Sequence, residues 1–208
     1  MTDAALLTWA SPSFPTGAFA WSGGLEAAVA RGMVSDEVTL AEWLRASLEG
    51  GTMRTDALFV ALATRADDPT DLDMLAVALA GSPTRERELR ALGAAFAEAT
   101  TAWRTASTLP AAYPVAFGAL ARAHGIAARD TALLFAHGAA MNAVTAAQRL
   151  LSLGQAAAMR AMAGVEPTLL RLADAADRAT IDDLGSATPI ADMCALAHPT
   201  IEPRLFRS

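Results

Sequence analysis

Between Asp3 and Glu26 the chain carries no charge, and Pro12, Pro15, Gly17, Gly23 and Gly24 interrupt the apolar residues of that stretch. Proline removes a backbone donor and clashes with the preceding turn, so no helix runs through the middle of the stretch. Irregular backbone exposed to lipid would leave polar groups unpaired, so no membrane span does either. A segment this apolar and this full of turns has to be packed against the rest of the chain or against a partner. The rest offers ample material, because 53% of the 208 residues are apolar, enough for a real core and too many for disorder. Alanine dominates and leucine follows, whereas valine, isoleucine and tyrosine are sparse, a balance that favours helices over sheets.

Periodicity places those helices. Residues 25–30 form a short helix ended by Gly32, with Ser22 as the hydroxyl that caps it. Leu40, Trp43, Leu44 and Leu48 then recur on one face of a 3.6-residue period. Gly50 and Gly51 separate that helix from one over 55–65, which Asp67-Asp68-Pro69 stops. A helix over 71–80 follows. Ser82 and Pro83 are the cap and first residue of another, which reaches 103 with Leu89, Leu92, Phe96 and Trp103 on one face. Its first turn, Arg85-Glu86-Arg87-Glu88, reads as a solvated face with local ion pairs. Residues 109–114 form a loop and 115–124 a helix closed by Gly125. The long apolar run over 129–151, with His137, Asn142, Thr145 and Gln148 as its polar interruptions, is the expected central helix. Two shorter helices, 155–163 and 167–179, complete the series. Beyond Ile181 the period is lost, and Gly185, Pro189, Pro199 and Pro203 break the chain. The expectation is an all-α, single-domain bundle of about eight to ten helices over residues 1–181, followed by a mobile C-terminal tail over 182–208.

The chemistry expected of such a chain is thin. A net charge of −6 with scattered basic residues excludes a general nucleic-acid surface and a polybasic membrane patch. All sixteen basic residues are arginine, which excludes both a Walker lysine and a Schiff-base lysine. A single cysteine, Cys194, forms no internal disulfide, and no basic region precedes the first apolar stretch, so the cytoplasm is the expected compartment. A mean hydropathy of +0.31 suits a protein that buries surface against partners.

His124, His137 and His198 fall in different elements, and no HExxH, CxxC or EF-hand pattern occurs. Ala20-Trp21-Ser22-Gly23-Gly24 comes nearest to a nucleophile elbow, but alanine stands where the first glycine belongs and no alternating strand precedes it. Cys194 and His198, four residues apart, would share one helical face and offer two ligands to a soft divalent ion. Two ligands do not complete a site, and Pro199 disfavours helix at His198, which then reads as a polar tail residue. His137 reads as a core histidine with its ring satisfied. Arg204, Leu205, Phe206 and Arg207 read as a docking peptide in an exposed tail, the apolar pair supplying area and the guanidinium groups orientation. An inert, solubilising tail is the next alternative, and an arginine finger for a GTPase the least favoured. No catalytic residue, cofactor or metal ligand is assigned.

Three blocks carry a resemblance. The first is Ser11-Pro12, Pro15, Gly17, Phe19, Ser22 and Gly24-Leu25-Glu26; the second is Arg149-Leu150 with Leu153-Gly154-Gln155; the third is Arg204-Leu205-Phe206-Arg207-Ser208. In order and spacing they resemble the urease accessory proteins of the UreF type. Ser152 stands in place of that family's usual proline, and Pro199 follows His198 where the family has glutamate. The resemblance implies an all-helical homodimer with no enzymatic activity of its own that works in nickel insertion into apo-urease. Its implied partners are UreD (also called UreH), the GTPase UreG and urease, with the tail ordering on UreD. Phe19 and Arg204 are the positions it points to for integrity of the partner complex, and Ser22, Glu26, Arg149, Gln155, Leu205, Phe206 and Arg207 complete the matched partner-binding set. A helical adaptor or regulator unrelated to urease, or an enzyme with a diffuse site, is the competing expectation.

Overall fold

A computed structural model describes residues 4–103, 109–198, 201–202 and 204–207, and every regular element among them is helical. In chain order these are α1 (Ala4–Trp9), a 3-10 turn (Ala18–Ala20), α2 (Leu25–Ala30), α3 (Glu37–Gly50), α4 (Thr52–Arg65), α5 (Thr70–Ala78) and α6 (Pro83–Ala99). They continue with α7 (Tyr113–Ala123), α8 (Ala128–Leu150), α9 (Gln155–Ala163), α10 (Glu166–Arg178), a 3-10 turn (Ile181–Asp183) and α11 (Pro189–Ala197). The fold is a single all-α domain. No helix among the described residues is long and apolar enough to cross a membrane.

Local chemistry sets the helix ends. The Asp36 carboxylate accepts the Thr39 N–H at 2.9 Å while the Thr39 hydroxyl accepts the Asp36 N–H at 3.1 Å, a capping box that opens α3. The backbone and side-chain hydrogen bonds from Thr39 hold the Asp36 carboxyl below its ordinary range. Ser82 Oγ accepts the Arg85 N–H at 3.1 Å with Pro83 in the first turn, so α6 starts where its cap predicts. It ends at Ala99, short of Trp103, in a turn where the Thr100 hydroxyl donates to the Phe96 carbonyl at 2.6 Å and the Thr101 hydroxyl to the Glu98 carbonyl at 2.6 Å. At the other side of the molecule the Arg65 guanidinium donates to the carbonyls of Ala176, Asp177 and Ala179 and closes α10.

The centre of the bundle is α4, which packs chiefly on α7 and α8, while α10 packs on both α8 and α4. The larger core joins α2, α3, α8, α9 and α10 through leucine and alanine and also takes in Cys194 and Phe206. A second core is aromatic: Phe117 stacks on Phe96 with centroids 5.3 Å apart and meets Phe135 edge-on at 5.2 Å, and Trp9 closes the top. Trp9 comes from α1, a six-residue helix with no charged residue of its own, held by burial of Leu6 and Trp9. The expected core histidine, His137, is exposed, because the inward positions of α8 around it are Phe135, Ala136, Gly138 and Ala140.

Small residues set the helix spacing. A methyl group at Gly118 of α7 would run into the Val60 carbonyl and the Ala63 side chain of α4, so the two helices meet backbone to backbone. Gly118→Ala is expected to destabilise the fold by about 1–3 kcal/mol, read as a shift in the urea midpoint with an unchanged slope.

Candidate functional site: the opening stretch and the C-terminal segment

The opening stretch wraps the end of the bundle as a series of turns. Gly17, at φ 77°, admits the chain to the 3-10 turn, and Gly23 and Gly24, at φ 59° and 83°, turn it into α2. These are left-handed conformations that glycine adopts without a Cβ penalty. Gly24 has a second constraint, since an added Cβ would lie 2.8 Å from the Ala195 nitrogen, so α11 rests directly on this turn. Ser22 acts at the start of α2 as expected, its Oγ accepting the Glu26 N–H at 3.4 Å, although Gly24 occupies the cap position itself.

Glu26 points inward and is only 4% exposed. Its Oε1 accepts the Leu205 N–H at 2.6 Å; its Oε2 lies 2.6 Å from His198 Nε2 and accepts the Phe206 N–H at 3.2 Å. His198 is fully buried at the end of α11 in helical backbone, unlike the polar tail residue that the following proline suggests. The Phe206 ring enters the larger core, and the Arg149 guanidinium from α8 lies 4.5 Å from its centroid. Arg149 Nη1 also donates to the Phe19 carbonyl at 3.0 Å, and the Arg207 N–H donates to the Ala20 carbonyl at 2.8 Å. The Arg207 guanidinium lies 6.0 Å from the Trp21 ring.

Ser22, Glu26, Arg149, Phe206, Arg207 and the backbone of Phe19 and Leu205 are therefore brought into one contiguous junction. The Phe19 ring, 64% exposed, and the Leu205 side chain, 58% exposed, face outward from it, and Arg204 is exposed. Gln155 accepts from Gln148 Nε2 at 2.9 Å and ties the start of α9 to α8. The Cys194–His198 pair is divided: the sulfur lies 3.8 Å from Arg31 Nη1 and 3.9 Å from Met33 Sδ, while the imidazole faces Glu26. Among the described residues no three His, Cys, Asp or Glu side chains cluster as metal ligands.

Beneath the junction lies a group that periodicity did not reveal. Arg85 and Glu88 of α6 turn inward, joined at 2.9 Å, and Arg85 also pairs with Asp56 of α4. The charge run is thus half solvated, through Glu86–Arg90 at 3.0 Å, and half buried, because positions three apart share a face and Asp56 waits opposite. Burial opposes the Arg85 charge, but the two carboxylates more than offset it and hold the guanidinium above its ordinary pKa. Burial, and then the Asp56 charge, push the nearby Tyr113 phenol upward too. These groups, with Trp21, Ser22 and Asn142, line a cavity of about 120 Å³. Asp56 is the residue that sequence reasoning missed; its place as the one acidic residue of α4, beside the apolar run Ala57–Ala63, was the available signal.

The family model described as UreF matches residues 34–166. A protein named urease accessory protein UreF from Ruegeria sp. (strain TM1040) is 45% identical over 206 residues, covering 98% of this chain and 96% of that relative. The chain belongs to the UreF family of urease accessory proteins. Proteins of the same name from Rhizobium leguminosarum bv. trifolii (strain WSM2304) and Rhodopseudomonas palustris (strain BisB5) are 44% and 41% identical, each over 98% of this chain and over 95% and 90% of the relative. These similarities extend over nearly the whole UreF-family chain, so they run beyond the core matched by the family model toward both of its ends.

Two substitutions separate surface from support. Phe19→Ala removes an exposed ring while Arg149 still holds the Phe19 backbone, so unfolding in urea is expected to move by less than about 0.5 kcal/mol. Arg85→Met strands Asp56 and Glu88 as buried carboxylates and is expected to cost about 3–5 kcal/mol in the same measurement.

Proposed function

We propose that this protein is a scaffold for urease maturation which, with UreD (UreH), recruits the GTPase UreG to apo-urease and couples GTP hydrolysis to nickel delivery. Membership of the UreF family carries the reading, since its relatives bear the name of urease accessory proteins. The absence of any lysine fits a protein whose nucleotide chemistry is done by a partner with its own phosphate-binding lysine. Nickel is cargo here, and a scaffold that passes an ion onward gains nothing from a tight site that would retain it.

The junction between the opening stretch and the C-terminal segment is the partner-binding surface in this proposal. Phe19 and Leu205 stand outward beside Arg204, and Ile190, Met193 and Leu196 of α11, each more than half exposed, extend the apolar area along one helix face. UreD is assigned to this surface, with Arg204 and Arg207 orienting it and the segment 182–208 acting as a unit distinct from the domain over 1–181. Fixing such a segment on binding lends specificity at modest net affinity, because its ordering entropy offsets part of the contact energy. Two copies of the chain form the working homodimer, in the cytoplasm, and the protein has no reaction of its own.

Apo-urease co-expressed with UreD and UreG is expected to gain activity only when this chain is present; full activation in its absence overturns the accessory role. Deleting residues 203–208 is expected to abolish capture of UreD while the size-exclusion profile of the dimer stays unchanged. A truncated chain that captures UreD as well as the full one removes the tail from the proposal.

A further inference from the structure

We propose that the cavity between the opening stretch and α4, α6 and α8 is a binding site for a small monovalent organic cation with N–H donors, of the alkylammonium or guanidinium class. Among the described residues its lining runs from Ala10 to Ala143, so the site stands apart from the C-terminal segment. The opening stretch supplies Thr16 and Trp21, α4 supplies Asp56, α6 supplies Arg85 and Glu88, and α8 supplies Asn142.

One guanidinium stands between two carboxylates, which leaves this group with one negative charge in excess. Arg85 meets Asp56 at Oδ2 and Glu88 at Oε2, so Asp56 Oδ1 and Glu88 Oε1 keep acceptor sites that no donor among the described residues fills. Glu88 is only 8% exposed, and a carboxylate oxygen so placed is costly to leave without a donor. Thr16 gives a second, independent signal. It is 7% exposed, and its hydroxyl has no hydrogen-bond partner among the described residues; nor has the Asn142 amide. The cavity therefore gathers acceptors from four parts of the chain and lacks one positive charge.

That chemistry selects its occupant. The excess negative charge disfavours an anion, and a single excess charge falls short of what a divalent ion gathers from several carboxylate oxygens. A cation with N–H groups supplies both the missing charge and directed donors to the free oxygens. Trp21, Tyr113, Phe117 and Phe135 make up the aromatic part of the lining, and an aromatic face attracts a small cation. Burial and the Asp56 charge keep the Tyr113 phenol protonated, so this wall adds no second anion. An apolar cavity of about 150 Å³ takes up benzene, so a space of about 120 Å³ suits a ligand of roughly three to five non-hydrogen atoms. Such a ligand touches the opening stretch and three helices at once. Any consequence for partner capture rests on the scaffold reading above, whereas the site is a property of the chain alone.

Proton–nitrogen NMR of the isolated protein tests this, because the chain has four tryptophans and Trp21 is the one that lines the cavity. Ethylammonium chloride, exchanged for sodium chloride at constant ionic strength, is expected to move the Trp21 indole signal saturably with a Kd on the order of 1 mM. Tetramethylammonium, a cation without N–H donors, is expected to bind about tenfold more weakly or less. Glu88→Gln removes the excess charge while its carbonyl still accepts from Arg85, and is expected to raise the Kd for ethylammonium about tenfold. Thr16→Val keeps the shape, is expected to raise it about threefold, and decides the matter if Glu88→Gln does not fold. A signal that shows no saturable shift with either ethylammonium or guanidinium chloride, as a cavity holding water alone gives, overturns the inference. So does an equal response to tetramethylammonium, or an unchanged Kd in the folded variants. Because no partner is present, a negative result leaves the scaffold reading to the UreD capture experiment, and failure of that capture leaves the binding result standing.

Discussion

A buried carboxylate needs donors, and Glu26 finds three of its own at the far end of the chain. Much of the surrounding structure follows from that requirement. The segment after α11 must return across α2 to deliver the Leu205 and Phe206 amides, and α11 must lie close enough to present His198, which is why Gly24 carries no side chain. Phe206 then falls into the core and Arg149 closes over it while holding the backbone of the opening stretch. The two irregular ends of the chain complete each other, each supplying the hydrogen-bond partners that the other lacks.

The Asp56–Arg85–Glu88 group supports this junction from below in a different way. It is a set of charges turned inward between α4 and α6, and it lines a cavity together with Trp21 and Ser22. Buried ion pairs contribute little net stability but are costly to break. Here they join α4 to α6, and the turn that carries Ser22 rests above the joint. Loops position side chains less precisely than helices do, so the irregular turns above gain from such a rigid base.

Most of the helices were legible because their ends are punctuated. Gln155–Ala163 agrees with the helix read over 155–163, and Ser82-Pro83 marked the start of α6. The short helices were not. In α11, Pro189 looked like a breaker, yet at the first helical position its missing N–H costs nothing. In α1, six residues offer less than two turns of period. Within the candidate site, Glu26, Arg149 and Phe206 were recognised through motif spacing, but their convergence was not readable, since it depends on backbone amides that leave no trace in a side-chain pattern. The inward turn of Arg85 and Glu88 was hidden for a related reason: a charged i, i+3 pair looks the same on either face until Asp56, 29 residues earlier, is placed opposite.

The bond between Glu26 and the Phe206 amide spans 180 positions of sequence. Synthesis runs from the N-terminus, so Glu26 is made long before the Leu205 and Phe206 amides that it receives. The helices of the bundle close through contacts between nearer positions, so this contact over α2 carries a larger loop-closure entropy than theirs. A chain in translation thus passes through an interval in which α2 to α10 are made while the Glu26 carboxylate still lacks its donors from the segment after α11.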